Sequence, residues 1–214
     1  MKKILALAFV SAFFLSSCLG ATMDITMRAN GSGRIVVEYR VSQALESMGR
    51  FDGNERWNAI PVGRADMERS VARVPGLRLS SFSSSSQASA RGGADLVSRA
   101  TLDFDNPAAL LAFLDITGSR AGFESANGQN VLRMTFLEPS QPIASEELLA
   151  LFRDAGEGYE ISLRFTAPAN AALRVLPGPL AQARAEASGR VASFAIGTGE
   201  IPAISNGLEI EISW

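Results

Sequence analysis

The sequence predicts an α+β fold with mostly antiparallel sheets and two to four helices. Three observations predict it. Segments that alternate apolar and polar residues, as half-buried strands do, recur along the chain. Turn residues join several of these segments into hairpins. Apolar segments with capping residues, typical of helices, lie between the strands. The length of the chain fits one large domain or two small ones. We assign residues 22–214 to a single α+β domain.

The first part of that domain is expected to be a hairpin followed by two helices. Residues 22–28 alternate Met and Ile with polar side chains, residues 30–33 read Asn-Gly-Ser-Gly, and residues 34–41 are rich in Ile, Val and Tyr. This is the pattern of two strands joined by a turn. Helices are predicted over residues 42–48 and 61–74, and the second ends before a Pro-Gly pair.

A second hairpin is predicted from strands over residues 77–87 and 95–104. The first of these strands contains the serine run 83–86, which we interpret as an exposed strand face instead of a flexible linker. In the second strand, alternation directs one set of side chains toward the core and the other toward solvent. The inward set is Leu102 and Phe104, and the outward set is Thr101, Asp103 and Asp105.

Two helices with a hairpin between them are predicted next. Asn106 is a good N-cap with Pro107 behind it, and Ser145 caps the second helix, whose first turn holds two glutamates. Between the helices, residues 123–126 and 131–137 flank an Asn-Gly pair, which is a strong hairpin signal. The predicted buried face of the second helix is Leu148, Leu149, Leu151 and Phe152.

The elements from residue 95 to residue 165 follow the order strand, helix, strand, strand, helix, strand. This order is the split βαβ arrangement of ferredoxin-like domains, which we predict for the central part of the fold. Residues 167–179 are rich in Pro and Ala and are expected to be irregular. Closing strands are predicted over residues 191–196 and 208–214.

The N-terminal segment has the design of a secretory signal. It begins Met-Lys-Lys, and the apolar run at residues 4–15 would reach about 18 Å as a helix, which is too short to span a bilayer. Leu15-Ser16-Ser17-Cys18 then reads as a lipobox, whose cysteine thiol receives a diacylglyceryl group before the chain is cut in front of it. We predict a lipoprotein signal peptide at residues 1–17. The alternatives are a plain secretory signal cut after Ala21 and a chance cysteine.

Lipid attachment at Cys18 would hold the domain at a bacterial membrane by two or three acyl chains, such as palmitate. Cys18 is the only cysteine in the chain, so its acylation would leave no free thiol to oxidise. Residues 18–21 form a short anchor before the first strand. Because Leu19 and not Asp follows the cysteine, we favour the outer membrane over the inner membrane.

The composition excludes several kinds of chemistry. The absence of histidine removes Ser-His-Asp catalysis and most zinc sites, and the net charge of −2 argues against a nucleic-acid partner. The remaining catalytic hypothesis is a carboxylate-based hydrolase of cell-wall sugars that uses Asp103 with Asp105, or Glu209 with Glu211. Acid pairs of this kind could also bind a hard cation. We expect both pairs to lie on solvated strand faces. We predict no catalytic residue, no cofactor and no metal.

The least regular segment is residues 49–63, which carries two aromatic residues beside two arginines. Such a segment could be a partner-binding or membrane-facing loop, or the aromatic side chains could fold inward as a satellite of the core. We favour the second interpretation. The residues concerned are Arg50, Phe51, Arg56 and Trp57.

The order of features along the chain resembles that of the LppM-type bacterial lipoproteins. The lipobox leads almost directly into a strand and turn at residues 24–33 and then a strand from Ile35. A late strand ends at Pro168, Gly189-Arg190-Val191 opens another, and an aliphatic strand closes the domain. The resemblance implies an envelope-anchored domain without catalytic residues. Members of that family continue into a C-terminal transmembrane helix, whereas this sequence stops at its last tryptophan.

The sequence therefore predicts a lipid-anchored cell-envelope protein that acts by binding or scaffolding and not by catalysis. Its expected partners are membrane lipid, through the acylated Cys18, and an envelope protein, lipid or glycan as ligand. A second hypothesis is a lipid-carrier module with an apolar cavity between sheet and helices. The hydrolase is the third.

Overall fold

The computed structural model describes residues 19–42, 62–89, 92–116, 120–126, 128–140, 145–178 and 180–214. These ranges hold eleven strands, three α-helices and one 3-10 helix. The strands are β1 (Leu19–Met27), β2 (Gly33–Ser42), β3 (Leu77–Ala88), β4 (Ala94–Phe104), β5 (Arg120–Ala126), β6 (Gln129–Leu137), β7 (Glu160–Thr166), β8 (Ala172–Leu176), β9 (Ala183–Ser188), β10 (Val191–Gly197) and β11 (Leu208–Ser213). The helices are α1 (Arg64–Ala72), α2 (Pro107–Ile116), α3 (Glu146–Gly156) and the 3-10 helix Thr198–Ala203.

The strands form two sheets. The larger has seven strands in the order β3-β4-β2-β1-β7-β10-β9, and the smaller has four in the order β5-β6-β11-β8. Neighbouring strands are antiparallel, with the exception of β1 and β7, which pair in parallel. The α+β class with mostly antiparallel sheets is therefore confirmed.

The core lies between the inner face of the seven-stranded sheet and the elements that cover it. Aromatic pairs join the two sheets: the rings of Phe165 and Trp214 are 5.0 Å apart, and those of Phe136 and Phe194 are 6.1 Å apart. Helices α1 and α2 lie beside the β3–β4 part of the sheet. The fully buried side chains include Ile25, Ile35, Met67, Leu102, Phe104, Leu110, Phe113, Leu132, Phe165 and Phe194.

The local signals that mark helix starts and strand faces are confirmed. The backbone N–H of Ala109 donates to Asn106 Oδ1 at 3.0 Å, and the N–H of Leu148 donates to Ser145 Oγ at 3.3 Å. Leu102 and Phe104 are buried, as the alternation predicts. The predicted helix over residues 42–48 lies mostly outside the described residues.

The prediction of a ferredoxin-like central part is wrong, although the predicted order of elements is right. A ferredoxin-like domain places its four strands in one sheet, whereas here β4 and β7 belong to the seven-stranded sheet and β5 and β6 to the smaller one. The hairpin β5–β6 pairs instead with the closing strand β11. The apolar faces of the two sheets are buried against each other, as in a sandwich.

Two further predictions are corrected by the structure. Residues 167–179 are not wholly irregular, because β8 forms there and pairs with β11. Leu151 is 46% exposed and does not share the buried face of α3, on which Phe152 is fully buried and Leu148 and Leu149 are half-buried. The reason is that α3 packs against the 3-10 helix and not across the core.

Candidate functional site

Two of the predicted features lie outside the described residues. They are the signal peptide with the lipid-attachment residue Cys18, and most of the irregular segment, including Arg50, Phe51, Arg56 and Trp57. Both remain predictions. The domain assignment of residues 22–214 also remains a prediction.

The first carboxylate pair, Asp103 with Asp105, lies within ion pairs. Asp103 Oδ1 accepts from Arg34 Nε at 2.9 Å, and its other oxygen accepts from the hydroxyl of Ser80. Asp105 is held by both terminal nitrogens of Arg78, each at 2.9 Å. Hydrogen bonds from Arg34 and Ser80 hold the pKa of Asp103 below its ordinary value. A general acid requires a raised pKa, so this pair is better suited to stabilising the sheet.

The second carboxylate pair lies on the outer face of the smaller sheet. Glu211 Oε2 accepts from Arg133 Nε at 2.9 Å, and Glu211 Oε1 accepts from Arg174 at 3.3 Å. Arg133 also bonds Glu124 at 3.0 Å, so one row of charges crosses β5, β6, β11 and β8. Glu209 accepts from the hydroxyl of Thr135 at 3.5 Å. The arrangement is a cross-strand ion-pair network.

We expect Glu211→Gln to lower the free energy of unfolding at pH 7, because it removes the charge that Arg133 binds. The loss should be only about 1 kcal/mol, because Arg133 is 42% exposed and solvent screens the pair. The hydrogen bond from Arg133 lowers the pKa of Glu211 from its ordinary 4.5. A lowered pKa contributes stability above pH 4.5 that is lost as the pH falls through the folded value. The difference in free energy of unfolding between wild type and variant should therefore become smaller below about pH 4. Urea titrations at several pH values measure it.

Glu209→Gln is the matched control for this substitution, because Glu209 lies two residues away on the same face and its hydrogen bond from Thr135, within the described part of the chain, is 3.5 Å long. It should change stability by less than half as much as Glu211→Gln. Equal effects of the two substitutions at pH 7 would contradict the assignment of the network to Glu211.

The described ranges contain no group of three or more Asp, Glu, His or Cys side chains that could hold a metal ion. In the same ranges, no helix has the length and apolar character needed to cross a membrane.

A groove of about 590 Å³ lies on the outer face of the seven-stranded sheet, over β1, β7, β10 and β9. Alternation along these strands directs Leu163, Phe165 and Phe194 into the core and the intervening polar side chains outward. The polar side chains that line the groove are Thr22, Asp24, Ser162, Arg164, Arg184, Glu186 and Ser193.

The groove is lined by equal numbers of acidic and basic side chains, which are partly exposed to solvent. Arg164 lies 3.9 Å from Asp24, and Arg184 pairs with Glu160 at the end of the groove. The hydroxyl of Ser162 donates to Thr22 at 3.2 Å. The apolar residues that also line the groove are Leu163, Ala185, Phe194 and Ala195, and donors and acceptors of both charges stand along its walls. Such a surface can hydrogen-bond polar groups of a ligand.

Sequence reasoning did not find this groove. Strands β1, β7 and β10 were identified by their alternation, and β9 was not predicted. The groove also depends on the parallel pairing of β1 with β7, which are 140 residues apart where Ser162 meets Thr22. No local pattern encodes that pairing. The outward polar side chains of β7 and β10 were the signal available, and the sequence does not show that they are neighbours.

A second feature of note is the buried hydroxyl of Tyr39. This side chain is on the inner face of β2, and its Oη has no hydrogen-bond partner in the described structure. Burial raises the pKa of Tyr39. On the neighbouring strands in the same row lie Ser98 and Ser84, whose hydroxyl oxygens are 3.3 Å apart. An unpaired buried hydroxyl typically costs about 1–3 kcal/mol.

Comparison with known proteins does not assign the chain to a family. No family model matches it, and no curated protein matches it. Among solved structures, it is similar to the NMR structure of the folded domain of LppM from Mycobacterium tuberculosis, with a TM-score of 0.48 and 10% sequence identity. The alignment covers 91% of this chain and 88% of that one. This supports only a weak resemblance to LppM.

Proposed function

We propose that this chain is a lipid-anchored protein of the bacterial cell envelope, favoured at the outer membrane, that acts as a binding or scaffolding module without catalysis. The anchor is argued from the lipobox, in which Cys18 follows a short apolar run and two small residues. The binding role is argued from the domain. Both carboxylate pairs are engaged in hydrogen bonds with side chains of neighbouring strands.

The observation that carries the binding role is the groove over β1, β7, β10 and β9. A ligand in this groove would meet balanced charges beside the apolar atoms of residues such as Ala185 and Ala195, so an extended protein segment that carries both polar and apolar side chains fits it. The groove stands on a rigid sheet, which limits the entropy lost on binding. Because its walls consist of side chains, a ligand could bind in the groove without breaking the backbone hydrogen bonds of the sheet.

The anchor is tested by the intact mass of protein extracted from membranes. We expect a chain that begins at Cys18 and carries acyl chains, and we expect Cys18→Ala to remain uncut or to become soluble. Ser17→Ala is the matched control, because it keeps a small residue beside the cysteine and should still be acylated. A mature chain that begins at Thr22 without lipid would contradict the anchor.

The binding role is tested by a photo-crosslinking residue placed in living cells at Ser193, in the groove. The control position is Thr135, on the outer face of the smaller sheet. We expect discrete adducts from position 193 and few or none from position 135. Equal labelling from both positions would contradict the assignment of binding to the groove.

The lipid-carrier module is a second candidate, and the buried hydroxyl of Tyr39 favours it. A ligand that enters between sheet and helices could accept a hydrogen bond from this group and remove the cost of leaving it unpaired. Native mass spectrometry after mild extraction should then show lipid in stoichiometric amount. Tyr39→Phe should weaken its retention, while protein that is free of lipid in every preparation would exclude this role.

A further inference from the structure

We propose that the end of the seven-stranded sheet at which β1 begins faces the membrane, and that α3 and the 3-10 helix lie at the lipid surface. The partner of this surface is the bilayer that would hold Cys18. The inference rests on the proposed acylation of that residue. It adds the orientation of the domain, which the lipobox alone does not specify.

The first argument for this orientation is the short distance along the chain between Cys18 and the first strand. Leu19 is the residue directly after Cys18, and it is already the first residue of β1, where it pairs with Val41 of β2. Consecutive Cα atoms are about 3.8 Å apart. No flexible linker therefore separates the acylated residue from the sheet, and the domain cannot tumble freely above the lipid.

The strand register identifies what else lies at this end. The first residues of β7 pair beside those of β1, with Ala21 opposite Ile161, and Ile161 in turn faces Ile196 near the end of β10. The 3-10 helix begins directly after β10, and the N–H of Thr198 donates to the carbonyl of Tyr159 at 3.0 Å. Helix α3 leads into β7 and packs on the 3-10 helix. Both helices therefore lie at the end where the chain enters the sheet.

An exposed apolar side chain supports the same orientation. Leu151 of α3 is 46% exposed, and it is the large apolar residue that stands exposed in the described part of the chain. A membrane surface would remove it from water. Its neighbours Glu147, Asp154 and Glu157 are acidic, so contact should be favoured with zwitterionic lipid and opposed by anionic lipid.

The opposite end of the sheet provides a reference point. The turn after β1 begins at Arg28, and a strand of nine residues spans about 30 Å at about 3.3 Å per residue. Ala29 in that turn is exposed. The proposed orientation places Ala29 far from the lipid and Leu151 close to it.

The test uses the full acylated chain in phosphatidylcholine vesicles, with a single added cysteine. Because Cys18 is the only native cysteine and its sulfur would carry the diacylglyceryl group as a thioether, Leu151→Cys, Glu157→Cys and Ala29→Cys each provide one thiol for a fluorophore. A nitroxide on the lipid headgroup serves as quencher. We expect quenching at positions 151 and 157 to exceed that at position 29 several-fold.

The outcomes separate this inference from the proposed anchor. Intact mass establishes acylation for each variant before the vesicles are made. Acylated protein with equal quenching at the three positions, or with stronger quenching at position 29, would overturn the orientation alone. Protein without acyl chains would overturn the anchor and the orientation together. Leu151→Cys removes the apolar side chain that is proposed to contact the lipid, whereas Glu157→Cys keeps it. Quenching at position 157 therefore tests the orientation with Leu151 in place.

Discussion

Gly199→Ala is expected to lower the free energy of unfolding by about 3 kcal/mol, at the upper end of the usual cost of overpacking. A Cβ at this position would lie 2.7 Å from Arg153 Cα and 2.8 Å from the carbonyl oxygen of Phe152. Both are atoms of the α3 backbone, so the helix itself would have to move. Urea denaturation of a soluble Cys18→Ser form of the protein measures the effect.

The matched control for this substitution is Gly197→Ala, two residues earlier in the chain. A Cβ there would meet no heavy atom within 4 Å, and its backbone is not in the left-handed region. We expect a change within about 0.5 kcal/mol. If both substitutions had the same small effect, the close contact between α3 and the 3-10 helix would be contradicted, and with it one step in the argument for the membrane-facing end.

Features of the fold that depend on neighbours in sequence could be predicted. Strand β4 alternates buried and outward residues, so the inward direction of Leu102 and Phe104 follows from the pattern alone. The cap at Asn106 needs only three residues of sequence, because its side chain bonds the N–H of Ala109. These signals define elements, and they do not specify which sheet an element joins.

Pairing between distant strands could not be predicted. The order of elements from β4 to β7 is also compatible with a ferredoxin-like sheet, and the pairing of β6 with β11 decides against it. That pairing joins Met134 to Ile210, residues that no local pattern connects. Similarly, Leu151 fits the apolar face of an amphipathic helix, but α3 packs mainly against a short 3-10 helix and leaves this side chain exposed.

The chemistry of the carboxylates was predicted in part. Their outward direction follows from alternation in β4 and β11, and the structure shows it. Their partners come from other strands: Arg34 from β2 for Asp103, and Arg133 and Arg174 from β6 and β8 for Glu211. The lowered pKa values arise from these partners, so they could not be derived before the strand order was known.

Phe165→Ala should produce the largest loss of stability, about 4 kcal/mol, within the usual range for removing a buried phenylalanine. Phe165 is fully buried on β7, near the middle of the seven-stranded sheet, and its ring lies 5.0 Å from that of Trp214 at the end of the smaller sheet. Truncation would therefore open a cavity at the contact between the sheets. The measurement is again the free energy of unfolding in urea.

Phe82→Ala removes the same atoms from a half-buried position on β3, where the guanidinium of Arg64 lies 5.6 Å from the ring centre. It should cost about 1 kcal/mol. Equal costs at the two positions would contradict the central place of Phe165. The shape of the transition is informative as well, because a cavity between two sheets of one cooperative domain lowers the midpoint and keeps a single transition. Two separate transitions in Phe165→Ala would mean that each sheet can remain folded without the other.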